Sequence, residues 1–269
     1  HSAPPISPEP QTLSFITPTE FVELPSKGEY YPPGHSLHNQ KVVEIKHMTT
    51  KEEDILTSGA LLRNGLAIER MLESVLVNKN VKPDDLLLGD KNALIIAARA
   101  HGYGSLYTTT VTCPGCSEKQ SYEFNLSSLD SKSVSKEYLE ESNIKKTDNN
   151  TFLIPLQTSE YVVETRLLTG HDEKQINQLA ELKRKKNFPE SSMTDFLRTF
   201  IVSVNGIIDS NSLSGFINSL PASEARYLRK TYEKLVPSLD MNQDFKCNNC
   251  SHEALLEVPL TADFFWPNS

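Results

Sequence analysis

Short strands are predicted where apolar and polar positions alternate, or where β-branched and aromatic residues cluster. Val43 and Ile45 alternate with Glu44 and Lys46, which indicates a strand with one buried face. The same criteria predict strands over residues 21–24, 41–48, 105–112, 119–125, 152–156, 161–168, 244–246 and 254–260. Residues 152–156 and 161–168 are close enough in the chain to form a hairpin.

Helices are predicted where apolar residues recur every three or four positions. Ile68, Met71, Leu72 and Val75 follow this spacing. Further helices are predicted to begin at Thr50 and run through Leu62, and to cover residues 91–101, 172–186, 192–205, 212–219 and 222–236. Thr50 with Glu53 fits a capping box, and Asp90 is placed to cap the helix that follows it.

The order of these elements predicts an α+β protein with four parts. Residues 1–20 carry five prolines, which favours an extended or disordered leader. Residues 21–128 form a mainly helical α+β part that ends in a first cysteine pair. Residues 129–242 are a mostly helical insertion with a hairpin, and residues 243–269 hold a second cysteine pair, a closing strand and an aromatic tail.

The cysteines carry the most specific chemical signal in the chain. Cys113 and Cys116 form one C-x₂-C pair, and Cys247 and Cys250 form a second, each between predicted strands. Such a turn can direct two thiolates to one metal, and two turns give the four-sulfur site that Zn²⁺ favours. We therefore expect a zinc ribbon, split by the insertion, with one structural Zn²⁺ per chain. Gly115 and the Asn248–Asn249 pair are expected to supply the unusual φ angles of these turns.

Two other uses of the cysteines stay open. Two disulfides would require an oxidising compartment, and the sequence shows no export signal. A thiol oxidoreductase would require a thioredoxin-like βαβ context with the first cysteine at a helix N-terminus, whereas strands flank both pairs here. Both alternatives are less consistent with the sequence pattern than zinc.

Charge and motif content exclude several function classes. The chain has 27 Lys and Arg against 35 Asp and Glu, a net charge of −8, which opposes binding to a phosphate backbone. No apolar stretch approaches the roughly 18–20 residues that span a bilayer, so we expect no membrane contact. The histidines form no metal-binding pair at helical spacing, and no nucleophile elbow or phosphate-binding loop occurs. We therefore expect neither an enzyme nor a small-molecule substrate.

Three consecutive aromatic residues stand close to the end of the sequence. Phe264, Phe265 and Trp266 must either tuck under the domain or insert into a partner. Large aromatic side chains dominate the energy of many interfaces, and the closing strand would hold this segment at one end. We take the three residues as candidate partner-binding residues.

Several segments, taken in their order along the chain, resemble the baseplate hub proteins of T4-like contractile-tailed phages. The segments are Leu24-Pro-Ser-Lys-Gly28, Tyr30-Tyr31-Pro32, Met48-Thr-Thr-Lys-Glu-Glu53, Ala97-Ala-Arg-Ala-His-Gly-Tyr-Gly104, Cys113-Pro-Gly-Cys116, Phe245-Lys-Cys-Asn-Asn-Cys250, Val258-Pro-Leu260 and Phe264-Phe-Trp-Pro267. The resemblance covers residues 21–128 and 192–267. Hub subunits and hub assembly factors make up that group.

The resemblance implies a non-enzymatic protein that binds other baseplate hub or tail proteins. It would act in the host cytoplasm during assembly, as an assembly chaperone, or in the virion as part of the tail baseplate. A different reading is a zinc-ribbon adaptor that binds nucleic acid or the transcription machinery. A clustered basic face would favour that alternative, and none is visible in the sequence.

Overall fold

A computed structural model describes residues 16–186, 192–260 and 264–265. Within these residues the helices are α1 (Thr50–Thr57), α2 (Gly59–Arg63), α3 (Ala67–Val75), α4 (Leu88–Tyr103), α5 (Lys136–Glu141), α6 (Gly170–Lys185), α7 (Ser192–Phe200), α8 (Ser210–Ser219) and α9 (Ala222–Leu235). The strands are β1 (Thr19–Glu23), β2 (Val42–Lys46), β3 (Leu106–Thr112), β4 (Lys119–Asn125), β5 (Ser131–Lys132), β6 (Lys145–Lys146), β7 (Phe152–Pro155), β8 (Val162–Thr165), β9 (Ile201–Val204), β10 (Ser238–Leu239), β11 (Asn242–Lys246) and β12 (Glu253–Glu257). The expected mixture of helices and strands is confirmed.

The strands form small antiparallel sheets rather than one large sheet. Strands β6, β7, β8 and β9 make a four-stranded sheet in that order. The pairs β1–β2, β3–β4, β5–β10 and β11–β12 each stand as two-stranded sheets. The predicted hairpin over 152–168 is therefore the middle of a larger sheet, in which β9 arrives from a distant part of the chain.

Residues 201–204 are strand β9, so the prediction that one helix covers 192–205 is wrong at its end. Helix α7 stops at Phe200, and Val163 on β8 lies opposite Val204. Ile201 and Val204 are buried in this position. Branched side chains pack well on a half-buried sheet face, and this packing outweighs the helical spacing of the segment.

Helix α1 is capped one residue earlier than the sequence pattern predicts. Thr49, rather than Thr50, is the N-cap: its hydroxyl accepts from the Lys51 amide, and its own amide donates to Glu52 at 2.8 Å. Glu52 is only 3% exposed and also accepts a hydrogen bond from Ser74 on α3. This tertiary contact favours the Thr49–Glu52 register over the Thr50–Glu53 register.

Asp90 is a buried anchor inside α4, so its predicted role as a cap is wrong. Its carboxylate accepts from the Ser26 amide at 3.0 Å, the Ser26 hydroxyl at 2.6 Å and the Tyr31 hydroxyl at 2.8 Å. Burial raises the pKa of Asp90, and these three donors act in the opposite direction. The Leu24–Gly28 and Tyr30–Pro32 segments are thus hydrogen-bonded to α4 through Asp90.

One hydrophobic cluster runs through most of the fold. It includes residues from Leu24 near the beginning to Phe265 near the end, together with the buried face of α4 and the four-stranded sheet. A separate small cluster joins Cys113, Phe245 and Cys247. The cysteines therefore lie beside the main core, on a small core of their own. The predicted division into four parts stays a prediction. Most of the predicted extended or disordered leader, residues 1–15, lies outside the described residues, and Thr19 and Glu20 at its end belong to β1.

Candidate metal centre

The two cysteine pairs lie in the turns of two hairpins. Cys113 and Cys116 connect β3 to β4, where Thr112 pairs with Lys119. Cys247 and Cys250 connect β11 to β12 in the same way. The predicted strands on both sides of each pair are confirmed, and they turn each C-x₂-C segment into a tight hairpin end.

Both turns have the same backbone arrangement. The amide of Cys113 donates to the carbonyl five residues on, and Ser117 donates back to the Cys113 carbonyl, both at 2.9 Å. Cys247 and Ser251 repeat these two bonds at 2.9 and 3.0 Å. Ser117 and Ser251 adopt φ values of 61° and 58°, in the left-handed region. The two hairpin ends are therefore structural copies of each other.

The serines, rather than Gly115 and the two asparagines, carry the unusual φ angles of these turns. The expectation based on Gly115, Asn248 and Asn249 is wrong, because none of them has a positive φ. Gly115 is needed for another reason: a Cβ atom there would lie 2.8 Å from Cγ of His252. The serine after each second cysteine is visible in the sequence and is the signal that this expectation overlooked.

The four sulfur atoms meet between the hairpins. All four lie within 4.8 Å of one another. The Sγ atoms of Cys113 and Cys250 are 3.8 Å apart, and those of Cys116 and Cys247 are 3.7 Å apart. The cysteines are free, and these separations exceed the roughly 2.05 Å of a covalent disulfide. The arrangement is compatible with one metal bound by one sulfur from each cysteine.

In each turn a backbone amide donates to the sulfur of the buried cysteine. The Gly115 amide lies 3.3 Å from Sγ of Cys113 and donates to it. In the second turn the amide of Cys250 donates to Sγ of Cys247, and this bond lowers the pKa of Cys247. A lowered pKa favours the thiolate, which is the form that binds metal ions. Cys113 and Cys247 are buried, whereas Cys116 and Cys250 are exposed.

Side chains of β4 and β11 hold the two hairpins together. Gln120 accepts a hydrogen bond of 3.0 Å from the Asn248 amide, and the Tyr122 hydroxyl donates to the Asp244 carbonyl. The Tyr122 ring also meets the buried Phe245 edge to face, at 5.5 Å between centroids. Because these contacts lie next to the cysteines, they bring the two hairpin ends together over a large separation in sequence.

The aromatic segment at residues 264–265 is part of the core. Phe264 and Phe265 are each 1% exposed, and the Phe264 ring meets Tyr107 edge to face at 5.0 Å. Burial gives both side chains a packing role, the first of the two alternatives left open by the sequence. A side chain this deeply buried presents no surface to a partner. Trp266 lies outside the described residues, and partner binding by this segment stays a prediction.

Comparison with protein families decides which group the chain belongs to. The model of the family described as T4 bacteriophage base plate protein matches residues 18–266. The chain belongs to this family. The match covers both hairpins and the insertion between them, and it confirms the resemblance to T4-like baseplate proteins. Searches of curated proteins and of solved structures found no match.

Membership of the base plate family establishes the general role of this protein. A T4-type base plate protein is a structural component of the phage tail, and it contacts other phage structural proteins. A structural family of this kind suggests a role without catalysis. Among the described residues, no helix of this base plate protein is long and apolar enough to cross a membrane.

Proposed function

We propose that this base plate protein is a non-enzymatic subunit or assembly factor of the baseplate hub. The family match over residues 18–266 carries the proposal, and the sequence segments that resemble hub proteins favour the finer assignment. It acts by binding other hub or tail proteins, in the host cytoplasm during assembly or in the virion. One structural Zn²⁺, bound by Cys113, Cys116, Cys247 and Cys250, stabilises its fold.

The sulfur geometry supports zinc as the bound ion. Four sulfurs at about 2.3 Å from one Zn²⁺ in a regular tetrahedron lie about 3.8 Å from each other. The Cys116–Cys247 and Cys113–Cys250 separations of 3.7 and 3.8 Å agree with this value. Four thiolates complete the coordination sphere and leave no position for water, so the ion has a structural role.

A zinc ion at this position would fasten two distant parts of the chain. It would bind the β3–β4 hairpin to the β11–β12 hairpin, which enclose residues 126–241 between them. The side-chain bonds from Gln120 and Tyr122 reach across the same boundary but are exposed to water. Metal–thiolate bonds are much stronger than such contacts, so the ion would be the main connection between the two hairpins.

Metal analysis of the purified full chain tests the zinc assignment. After dialysis against a weak chelator we expect one Zn²⁺ per chain, and we expect Cys247→Ser to lose it and to melt at a lower temperature. Asn248→Ser, in the same turn but not a ligand, is the matched control and should keep both the zinc and the melting temperature. A wild-type chain with no zinc and two intact disulfides would exclude the site.

Co-purification tests the hub assignment separately. The tagged chain is expressed together with the other baseplate proteins of its phage, and its partners are identified by mass spectrometry. We expect hub or tail proteins to be recovered in a fixed ratio, and recovery to fall with Cys247→Ser. Exclusive recovery of proteins from the outer part of the baseplate would contradict the hub assignment and leave the zinc result intact. Recovery of nucleic acid in place of phage proteins would favour a zinc-ribbon adaptor.

A further inference from the structure

A second group of metal-binding side chains lies apart from the cysteines. The donor atoms of Glu20, His47 and His101 all lie within 4.8 Å of one another. The two imidazole rings are 5.2 Å apart between centroids. These three residues are far apart in the chain, so the histidines show no metal-binding pair in the sequence.

Three elements meet to position this group. Glu20 is on β1, His47 follows β2 directly, and His101 is in the last turn of α4. The His47 amide donates to the Pro18 carbonyl at 2.9 Å, which extends the β1–β2 pairing to the histidine. The group therefore rests on regular structure rather than on a free loop.

The Met48 side chain packs against the end of α4 in the same region. A Cβ atom at Gly102 would lie 2.2 Å from the Met48 methyl carbon, so a larger residue there would require the end of the Met48 side chain to move. Met48 and Gly102 are the immediate neighbours of His47 and His101. Their contact therefore joins the two segments that carry the imidazole rings.

Glu20 has one carboxylate oxygen in use and one without a partner. Its Oε2 atom lies 2.5 Å from Nε2 of His101. Its Oε1 atom is buried and has no hydrogen-bond partner within the described part of the chain. Leaving a buried carboxylate oxygen unpaired costs on the order of 1–3 kcal/mol or more. A cation between the three side chains would remove that cost.

We propose that Glu20, His47 and His101 bind a divalent transition-metal ion, Zn²⁺ in the first instance. Two imidazoles and one carboxylate are a donor set that Zn²⁺ accepts with a further position left for water or another ligand. Imidazole donors favour zinc, nickel or copper over magnesium and calcium, which prefer oxygen. The site differs from the four-cysteine site in its donors and in its incomplete coordination.

Ion binding requires a small local change at the carboxylate. Two ligand atoms at about 2.0–2.1 Å from one Zn²⁺ lie more than 3 Å apart, so the contact between Glu20 and His101 must lengthen. The exposed imidazole of His101 is 42% accessible and can move in this way. The free Oε1 atom of Glu20 is the second donor available on the same carboxylate.

The test is a Zn²⁺ titration of the full chain whose four-cysteine site is already loaded. We expect a second equivalent to bind, and the ring ¹⁵N signals of His47 and His101 to shift with it. Loss of residues that only support metal ligands weakens binding about 10–100-fold, so His47→Gln and His101→Gln should each weaken the second equivalent at least about 100-fold. Mg²⁺ at the same concentration should leave the ring signals in place.

Controls keep the result interpretable. His171→Gln removes an exposed histidine whose ring contacts Gln175 on α6, and it should bind the second equivalent as the wild type does. Glu20→Gln keeps the shape of the side chain and should also weaken binding, with the first zinc retained as evidence of folding. No second equivalent in the wild type, or histidine variants that both bind it as tightly as the wild type does, would overturn the proposal and leave Glu20 and His101 as an ion pair.

Discussion

The guanidinium Nε of Arg99 donates a hydrogen bond of 2.7 Å to the carbonyl oxygen of Phe264. Arg99 is 1% exposed, and a second nitrogen donates to the Gly104 carbonyl at 2.8 Å. The rings of Tyr103, Tyr107 and Phe264 lie within 5.3–5.9 Å of its charge. Carbonyl dipoles and ring faces thus stabilise a buried cation, and this joins α4 to the last residues that the structure describes.

This contact predicts that Phe264→Ala destabilises the fold. Removal of a buried phenylalanine side chain costs about 3–5 kcal/mol, because the transfer energy is lost and a cavity remains. Urea unfolding should show this loss in the free energy of unfolding. Leu255→Ala removes an exposed side chain on β12 and should stay within about 0.5 kcal/mol of the wild type. A Phe264→Ala chain with unchanged stability but lost partner binding would favour the partner-binding role instead.

The contact between Gly115 and His252 predicts a coupling between the two hairpins. In Gly115→Ala the new Cβ would meet the His252 ring, and overpacking of this kind costs about 1–3 kcal/mol. His252→Ala should relieve most of the loss in the double variant, which a double-mutant cycle of unfolding free energies measures. Gly215→Ala is the control: nothing lies near its Cβ position in α8, so the same change there should stabilise slightly. Additive effects at positions 115 and 252 would contradict the packing contact.

The capping register predicts different effects for two adjacent threonines. Thr49→Ala removes the N-cap of α1 and should cost about 0.5–2 kcal/mol. Thr50→Ala, at an exposed position inside the same helix, should change the free energy of unfolding by less than about 0.5 kcal/mol. Thermal or urea unfolding of both variants decides the matter. A larger loss at Thr50 would restore the register that the sequence pattern favoured.

The hydrogen bonds of Asp172 predict that part of the free energy of unfolding is lost in acid. Burial alone would raise the pKa of Asp172, but hydrogen bonds from Arg166 at 2.7 and 2.8 Å and from the Thr169 amide outweigh it and lower the pKa. A carboxylate with a lowered pKa stabilises the fold at pH values above its ordinary pKa of 3.8. This contribution disappears as the pH falls through the pKa that the carboxylate has in the folded state.

Asp172→Asn should therefore be less stable than the wild type by about 1–3 kcal/mol near pH 7. The difference should shrink once the pH falls below 3.8, when the wild-type carboxylate begins to be protonated in the unfolded chain. Unfolding measured across the acid range gives both values. Asp54→Asn, at an exposed position on α1, should show no such difference, and a constant difference for Asp172→Asn at all pH values would refute the assignment.

Features set by neighbouring residues could be predicted from the sequence. The strands around each C-x₂-C pair, the spacing of α3 and the hairpin over 152–168 depend on local periodicity and turn chemistry, and they appear as expected. The four cysteines were also identified from the sequence, because two C-x₂-C turns between strands define a metal-binding pattern by themselves. The order of short segments along the chain was enough to suggest the family.

Features that depend on distant contacts were missed or misplaced. Strand β9 forms because β8 offers it a buried edge, and Thr49 caps α1 because Ser74 reaches Glu52. The sequence left Phe264 and Phe265 between core and interface, since both environments select aromatic residues. Their burial follows from the pocket beside Arg99 and Tyr107.

The local elements, the cysteine pairs and the family of this protein all follow from patterns in its sequence. The tertiary structure alone decided which sulfurs face each other, that Glu20 lies beside His47 and His101, and that Asp90 anchors the Ser26 turn. The two groups of features differ in how far apart along the chain the interacting residues lie. Hydrogen bonds within a turn or helix join residues a few positions apart and leave a pattern in the sequence, whereas packing between distant segments depends on the path of the whole chain.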